Sequence, residues 1–259
     1  MSNGIWNYHE SENDKEETIL RQMDCIFCGA PLVRDEAEDE QLFQMEMSYG
    51  WSDNFTTSVH SYVGICPVCG WWKYAYSMWN PGNRHISRSL ITDLKYGILK
   101  NLDLTDVNTP VEEIRSYLLA KFKERFKVNP KSFENVVASV FHNLGYSAIV
   151  TAYSGDGGID VILEKNHETI GIQVKRYKNS ISVEQIRAFT GALVQKGYTK
   201  GIYVTTSEFQ SGAPESARLS GLRGFPIELI DAPKFYDILK IAQLNNSYKD
   251  LAVKPWLRR

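Results

Sequence analysis

Asp160, Gln173 and Lys175 place a carboxylate, an amide and an ammonium within one short stretch, SGDGGIDVILEKNHETIGIQVKRY, residues 154–177. The stretch reads as two strands, IDVIL and TIGIQVKRY, joined by the polar turn EKNHE. A two-residue turn centred on Asn166–His167 sets Asp160 directly opposite Gln173, with Lys175 one pleat further along. Strand side chains alternate between faces, so Ile170, Ile172 and Val174 point toward a core while Gly171, Gln173 and Lys175 point the other way. A slip of one residue would undo this arrangement. In that register the trio suits phosphodiester hydrolysis. Asp160 is the main ligand expected for Mg²⁺ or Mn²⁺, a hard cation that prefers oxygen and keeps several waters. Gln173 offers an amide oxygen, or stands near a Val174 backbone carbonyl that also faces the metal, and Lys175 offers an ammonium for developing charge or for the attacking water. Gly157 and Gly158 allow a sharp entry into the strand. Asp156 is read either as a turn former or as a metal contact.

A second constellation is CIFCG and CPVCG: Cys25, Cys28, Cys66 and Cys69, two C-x2-C pairs with 37 residues between them. Each pair can form a tight knuckle whose following glycine, Gly29 or Gly70, permits the turn. Four thiolates make a closed tetrahedral Zn²⁺ site, which is structural rather than catalytic. An iron–sulfur cluster is the other group that four cysteines can hold. With four Cys ligands supplied, His60, His142 and His167 are not needed and read as surface or packing residues.

These residues need elements to hold them. From Pro130 onward, PKSFENVVASVFHNLGY carries Phe133, Val136, Val137, Val140, Phe141 and Leu144 on one stripe and stops at Gly145, the pattern of an amphipathic helix. SAIVTAY follows as a strand, then the two strands above. SVEQIRAFTGALVQKG is a helix with Ser182 and Gln185 as a capping box. KGIYVTTS is a strand, FQSGAPESARLSG a short helix, PIELID a strand and APKFYDILKIAQL a last helix. The order αβββαβαβα implies the α/β class, a mixed sheet flanked by helices. Upstream, residues 1–20 read as flexible or loosely helical. Residues 21–84 form an aromatic-rich cysteine module, with Trp51, Trp71, Trp72 and Trp79 inside it, Trp6 just before it, and LFQMEM and VHSYVGI as its strands. Residues 85–128 read as a helical connector, with Ile114, Leu118 and Phe122 on one face, and residues 129–259 as the last domain.

The net charge of −2 is the sum of unlike parts. Residues 1–60 carry 3 basic and 13 acidic side chains, and residues 175–259 carry 14 basic and 7 acidic. The basic C-terminal part suits a polyanionic partner; the acidic surroundings of the cysteines favour a protein partner there over direct DNA contact. No apolar run is long enough to span a bilayer. The N-terminus lacks the basic-then-apolar pattern of a secretory signal, so a cytoplasmic location without membrane association is expected, and cysteines there serve metals more often than disulfides.

Over residues 130–231, the motifs FENVVASVFHNLGY, SGDGGIDVIL, IGIQVKRY, IRAFTGAL, KGIYVTTSEF and IELID resemble, in order, the catalytic domain of the Mrr-type restriction endonucleases, a branch of the PD-(D/E)xK nuclease fold. The cysteine pairs resemble a zinc ribbon. The resemblance implies a restriction-endonuclease-like sheet and a metal-dependent DNA endonuclease used in restriction or defence. It also implies Asp160 and Gln173 at the magnesium site and Lys175 as catalytic lysine, with Gln173 in the place of an acidic residue common in the wider fold. Glu134 matches the helix glutamate that completes such sites, or is simply a charge favoured near a helix N-terminus. Arg176, Lys178 and Arg187 are candidate phosphate contacts. DNA is the expected partner; a protein bound through the ribbon and a homodimer stay open. The rival readings are a non-catalytic nucleic-acid or protein-binding adaptor, and a nuclease for RNA or branched DNA.

Overall fold

The computed structural model describes residues 4–11, 19, 22–46, 52–82, 87–151 and 157–253. It divides into two units, Met1–Asn101 and Leu102–Lys254. Trp51 and Asp156 lie outside the described residues.

In the first unit, β1 (Trp6–Glu10), β2 (Val33–Glu46), β3 (Ser52–Ile65), β4 (Trp72–Asn80) and β5 (Ser89–Leu99) form one antiparallel sheet. Its order is β1-β5-β4-β3-β2. The expected LFQMEM and VHSYVGI strands fall in β2 and β3, except Met47, which lies outside the described residues. Two expectations are corrected. Part of the segment read as flexible, residues 1–20, is strand β1, paired from Trp6↔Leu99 to Glu10↔Lys95. Ile5 and Trp6 are buried and anchor it. The first part of the helical connector, residues 85–128, is strand β5, held between β1 and β4. Its apolar residues fit a helical face, but two neighbouring strand edges satisfy the backbone of Ser89–Leu99, and tertiary pairing overrides local propensity. The module around the cysteines therefore takes in sequence on both sides of 21–84.

The second unit opens with α1 (Val111–Ala120) and a 3₁₀ turn, Phe122–Lys127. Ile114 and Leu118 are fully buried on α1 as their spacing suggested, whereas Phe122 falls on the 3₁₀ turn rather than the helix. Then come α2 (Pro130–Asn143), β6 (Ser147–Val150), β7 (Val161–Lys165), β8 (Glu168–Lys175), α3 (Val183–Lys196), β9 (Lys200–Thr205), α4 (Ala213–Leu222), β10 (Ile227–Ile230) and α5 (Ala232–Val253). This is the αβββαβαβα order read from the sequence. The sheet order is β10-β9-β8-β7-β6. β6, β7 and β8 are antiparallel, and β8, β9 and β10 are parallel.

Local chemistry starts and stops these helices. Asn129 caps α2 by accepting from the Lys131 and Ser132 N–H groups, Pro130 takes the first turn, and Gly145 leaves it at φ 88°. At α3, Ser182 N–H donates to Gln185 Oε1 at 2.9 Å, as the capping box requires. The α3 helix lies directly on β8 and β9, because Gly171 and Gly201 pair with each other beneath it. A Cβ on Gly201 would stand 2.6 Å from Leu193 Cδ1 and one on Gly171 2.9 Å from Leu193 Cδ2, so the side chain is missing where the helix needs to approach. On the opposite face, Phe133 of α2 meets Phe235 of α5 at 5.3 Å between ring centroids. With both faces covered, the strands read as near-continuous apolar runs.

Candidate active site and cysteine cluster

The β7–β8 hairpin has the register inferred from its sequence, Lys165↔Glu168 through Val161↔Ile172. Asn166 (φ 51°) and His167 (φ 66°) take the positive φ values of a tight two-residue turn. Beyond Val161, the Asp160 N–H still donates to the Ile172 carbonyl at 2.8 Å. The next ladder donor, Val174 N–H, is taken by the Asp160 carboxylate itself, at 2.6 Å to Oδ2. The side chain thus completes the hydrogen bonding where the strand ends. The Asp160 carbonyl accepts from Thr151 N–H at 2.9 Å and Thr151 Oγ1 at 3.0 Å.

Asp160 and Gln173 are each 8% exposed, so this face of the sheet is not the open surface that the alternation suggested. Gly158, at φ 89°, covers Gln173 closely enough that a Cβ there would lie 3.5 Å from Gln173 Oε1. Lys175 is half-buried at the end of β8. The 3₁₀ turn holds this end of the sheet. Arg125 Nε donates to the Thr206 carbonyl at 2.8 Å, and Thr206 N–H donates to the Lys175 carbonyl at 3.1 Å.

Glu134 reaches this region through a short relay. Lys131 Nζ lies 2.9 Å from Glu134 Oε2 and 2.8 Å from the Thr151 carbonyl, and Thr151 in turn bonds Asp160. Arg176 turns inward, its guanidinium donating to the Phe126 carbonyl. Lys178 is exposed. Arg187 is exposed on α3, where it lines a groove with Thr190 of the same helix and Ser216 and Arg223 at α4. Sequence reasoning passed over Lys131, Thr151 and the Val174 N–H. The i, i+3 spacing of Lys131 and Glu134 was a usable signal; the other two depend on where β6 and β7 end.

The oxygen donors at Asp160 and Gln173 suit a hard cation that retains water. Tyr203 of β9 lies beside Gln173 in the parallel register. Burial pushes its phenol well above the usual range, and Tyr177 and then Asp160 add to that, so the hydroxyl stays protonated.

In the first unit, the Sγ atoms of Cys25, Cys28, Cys66 and Cys69 all lie within 4.8 Å of one another. The closest pairs, Cys25–Cys69 and Cys28–Cys66, are 3.4 Å apart. Tetrahedral zinc with bonds of about 2.3 Å needs sulfurs about 3.8 Å apart, so the set fits. Each knuckle closes in the same way: Gly29 N–H to the Cys25 carbonyl at 2.9 Å and Gly70 N–H to the Cys66 carbonyl at 3.0 Å, with φ of 72° and 74°. Contacts with the neighbouring thiols, Cys25 first, pull Cys28 down and push Cys66 and Cys69 up. Four such groups cannot all ionise without a cation between them. The cluster has an aromatic wall: Trp6 donates from Nε1 to the Cys69 carbonyl at 3.0 Å, and Phe27 packs against Trp6 and Trp71. Trp6→Ala is therefore expected to destabilise the first unit by about 3–5 kcal/mol. Chemical denaturation followed by zinc release would show it; an unchanged midpoint would mean that β1 is dispensable to the cluster.

A mixed five-stranded sheet flanked by helices is a restriction-endonuclease-like α/β arrangement. Residues 126–239 match the Mrr_cat family, described as "Restriction endonuclease". The chain is 32% identical over 117 residues to the Type IV methyl-directed restriction enzyme EcoKMrr of Escherichia coli (strain K12), a match that takes in 42% of this chain and 38% of the relative's length. Among solved structures, MspJI restriction endonuclease in complex with a 27-mer oligonucleotide aligns over 95% of this chain and 69% of its own, at 13% identity and a TM-score of 0.38. The ATP-dependent Type ISP restriction-modification enzyme LlaBIII bound to DNA aligns over 48% of this chain and 8% of its own, at 21% identity and a TM-score of 0.30. Among the described residues, no helix is long and apolar enough to cross a membrane.

Proposed function

We propose that this chain is a metal-dependent endonuclease that hydrolyses phosphodiester bonds in DNA, in restriction or defence against foreign DNA in the cytoplasm. One observation carries the reading: within the stretch that matches the restriction-endonuclease family, the Asp160 carboxylate accepts from the Val174 N–H, which lies between Gln173 and Lys175 in the chain. Asp160 and Gln173 would hold Mg²⁺ or Mn²⁺, which when bound supplies charge neutralisation and an acidified water. Asp160 is oriented for this by the Val174 N–H. Lys175 aims an ammonium at the charge that develops on the phosphate. Glu134, steadied by Lys131, adds a second carboxylate. Lys178 and Arg187 offer charge for backbone phosphates, and Arg176 the part of its guanidinium not spent on Phe126. The four-cysteine module, with its acidic sequence, serves as a Zn²⁺-stabilised unit for a protein partner.

The direct test is purified protein with Mg²⁺ or Mn²⁺ on methylated and unmethylated duplex DNA, single-stranded and branched DNA, and RNA. Metal-dependent cutting of duplex DNA is expected. Cutting of RNA or branched DNA alone would reassign the substrate, and binding without cutting would make the chain an adaptor. Gln173→Glu is expected to retain cleavage better than Lys175→Ala, because it keeps an oxygen ligand. Its extra carboxylate beside Asp160 should lower the melting temperature without Mn²⁺ and restore it with Mn²⁺. Damage equal to that of Lys175→Ala would mean that Gln173 has a task other than holding metal.

A further inference from the structure

The Tyr203 hydroxyl is buried and has no hydrogen-bond partner among the described residues, and a strand row joins it to the candidate site. Tyr203 pairs with Gln173 across β8 and β9, and the Asp160 carboxylate accepts from the N–H of Val174, the residue after Gln173. Tyr203 and Gln173 therefore sit side by side on one sheet face, with neighbouring strands about 4.8 Å apart, and Asp160 lies where the pairing of β7 with β8 ends. Tyr203 is 0% exposed. Its ring is clamped edge-on by Phe189 at 5.5 Å and Phe209 at 5.9 Å, so the hydroxyl is held in place by packing. Asp160 is near enough to act on it electrostatically.

A buried hydroxyl almost always has a partner, because leaving one unmade forfeits its hydration for nothing. A phenylalanine would fill the same space between Phe189 and Phe209 at no such cost. Packing therefore accounts for the ring and not for the oxygen. None of the described residues supplies that partner, and what the neighbouring Asp160 and Gln173 suit is a hydrated cation. We propose that Tyr203 is a positioning residue of the metal site, its hydroxyl hydrogen-bonding a water in the hydration shell of the divalent ion held by Asp160 and Gln173. The assignment rests on the nuclease reading of those two residues. Such outer partners orient the bound waters and tune affinity.

Tyr203→Phe tests this in the full-length, zinc-loaded protein, with Mn²⁺ binding measured by calorimetry in the absence of DNA. The Mn²⁺ dissociation constant should rise about tenfold. The melting temperature without Mn²⁺ should stay at or above that of wild type, since an orphaned hydroxyl is lost and the ring remains. Wild-type Mn²⁺ affinity overturns the proposal. So does a lower melting temperature without Mn²⁺, which would make the hydroxyl part of the fold. Asp160→Asn separates the two levels. If it loses Mn²⁺ while Tyr203→Phe does not, only the role of Tyr203 fails. If it too binds Mn²⁺ like wild type, the metal site itself is misplaced and the role of Tyr203 goes with it.

Discussion

Asp160→Asn and Lys175→Ala proteins are each expected to lose DNA cleavage by roughly a thousandfold or more, the scale on which preorganised charge at a reacting phosphate acts. The two should differ in stability from a third variant. Asp160→Ala strips the acceptor from the Val174 N–H, a buried donor now paired at 2.6 Å, and should cost about 1–3 kcal/mol in addition to activity. Asp160→Asn keeps an oxygen at that position and should melt close to wild type. Lys175 is half-buried at a strand end, and truncating it leaves the β8–β9 pairing intact. Cleavage assays with Mn²⁺ beside thermal melts would separate the effects. Wild-type-like cutting by either Asp160→Asn or Lys175→Ala would remove the site assignment.

The second large effect concerns zinc. Wild-type protein should contain about one zinc per chain, and Cys25→Ser or Cys66→Ser should lose it. Structural zinc contributes on the order of 10–16 kcal/mol in small cysteine modules, more than a sheet of this size holds in reserve. Met1–Asn101 should then unfold, including β1, whose Trp6 donates to the Cys69 carbonyl, and β5, whose Gly97 carbonyl accepts from Trp71. The second unit has its own core and should persist. Its edge is well defined: the Leu104 carbonyl accepts from Asn129 N–H at 2.7 Å, so the segment before α1 belongs with α2. Limited proteolysis of the Cys66→Ser protein should leave a protected fragment beginning near Leu102. Retained zinc would disprove the ligand set, and digestion of the whole chain would show that the two units do not fold separately.

Local rules carried much of this into the sequence. The hairpin register was legible because Asn166–His167 is a turn and the apolar alternation of Ile170, Ile172 and Val174 admits one phase; those forces act between residues close in the chain. The helix limits at Asn129, Gly145 and Ser182 were legible for the same reason, since a cap acts within one turn. The two C-x2-C knuckles were legible as a pair because thiolates in that spacing have few other uses. The strand identity of Ser89–Leu99 was not, because an isolated apolar segment fits a helix or a strand equally well until a neighbouring edge is supplied. That edge, Trp6–Glu10, lies far upstream, in a segment too short to announce itself.

The candidate site divides along the same line. Its residue types, and the register of the hairpin that carries Gln173 and Lys175, were determined by the sequence alone. The tertiary structure decided that the face is covered by α3, so that Asp160 and Gln173 are buried rather than open. It decided that the Asp160 carboxylate takes the Val174 N–H, because β7 stops pairing there and a buried donor needs an acceptor. The Glu134–Lys131–Thr151 relay and the orphaned Tyr203 hydroxyl likewise exist only once α2, β6 and β9 are placed around the hairpin. Hydrogen bonding and burial between distant segments depend on where each chain crosses the other, and no local pattern encodes that crossing.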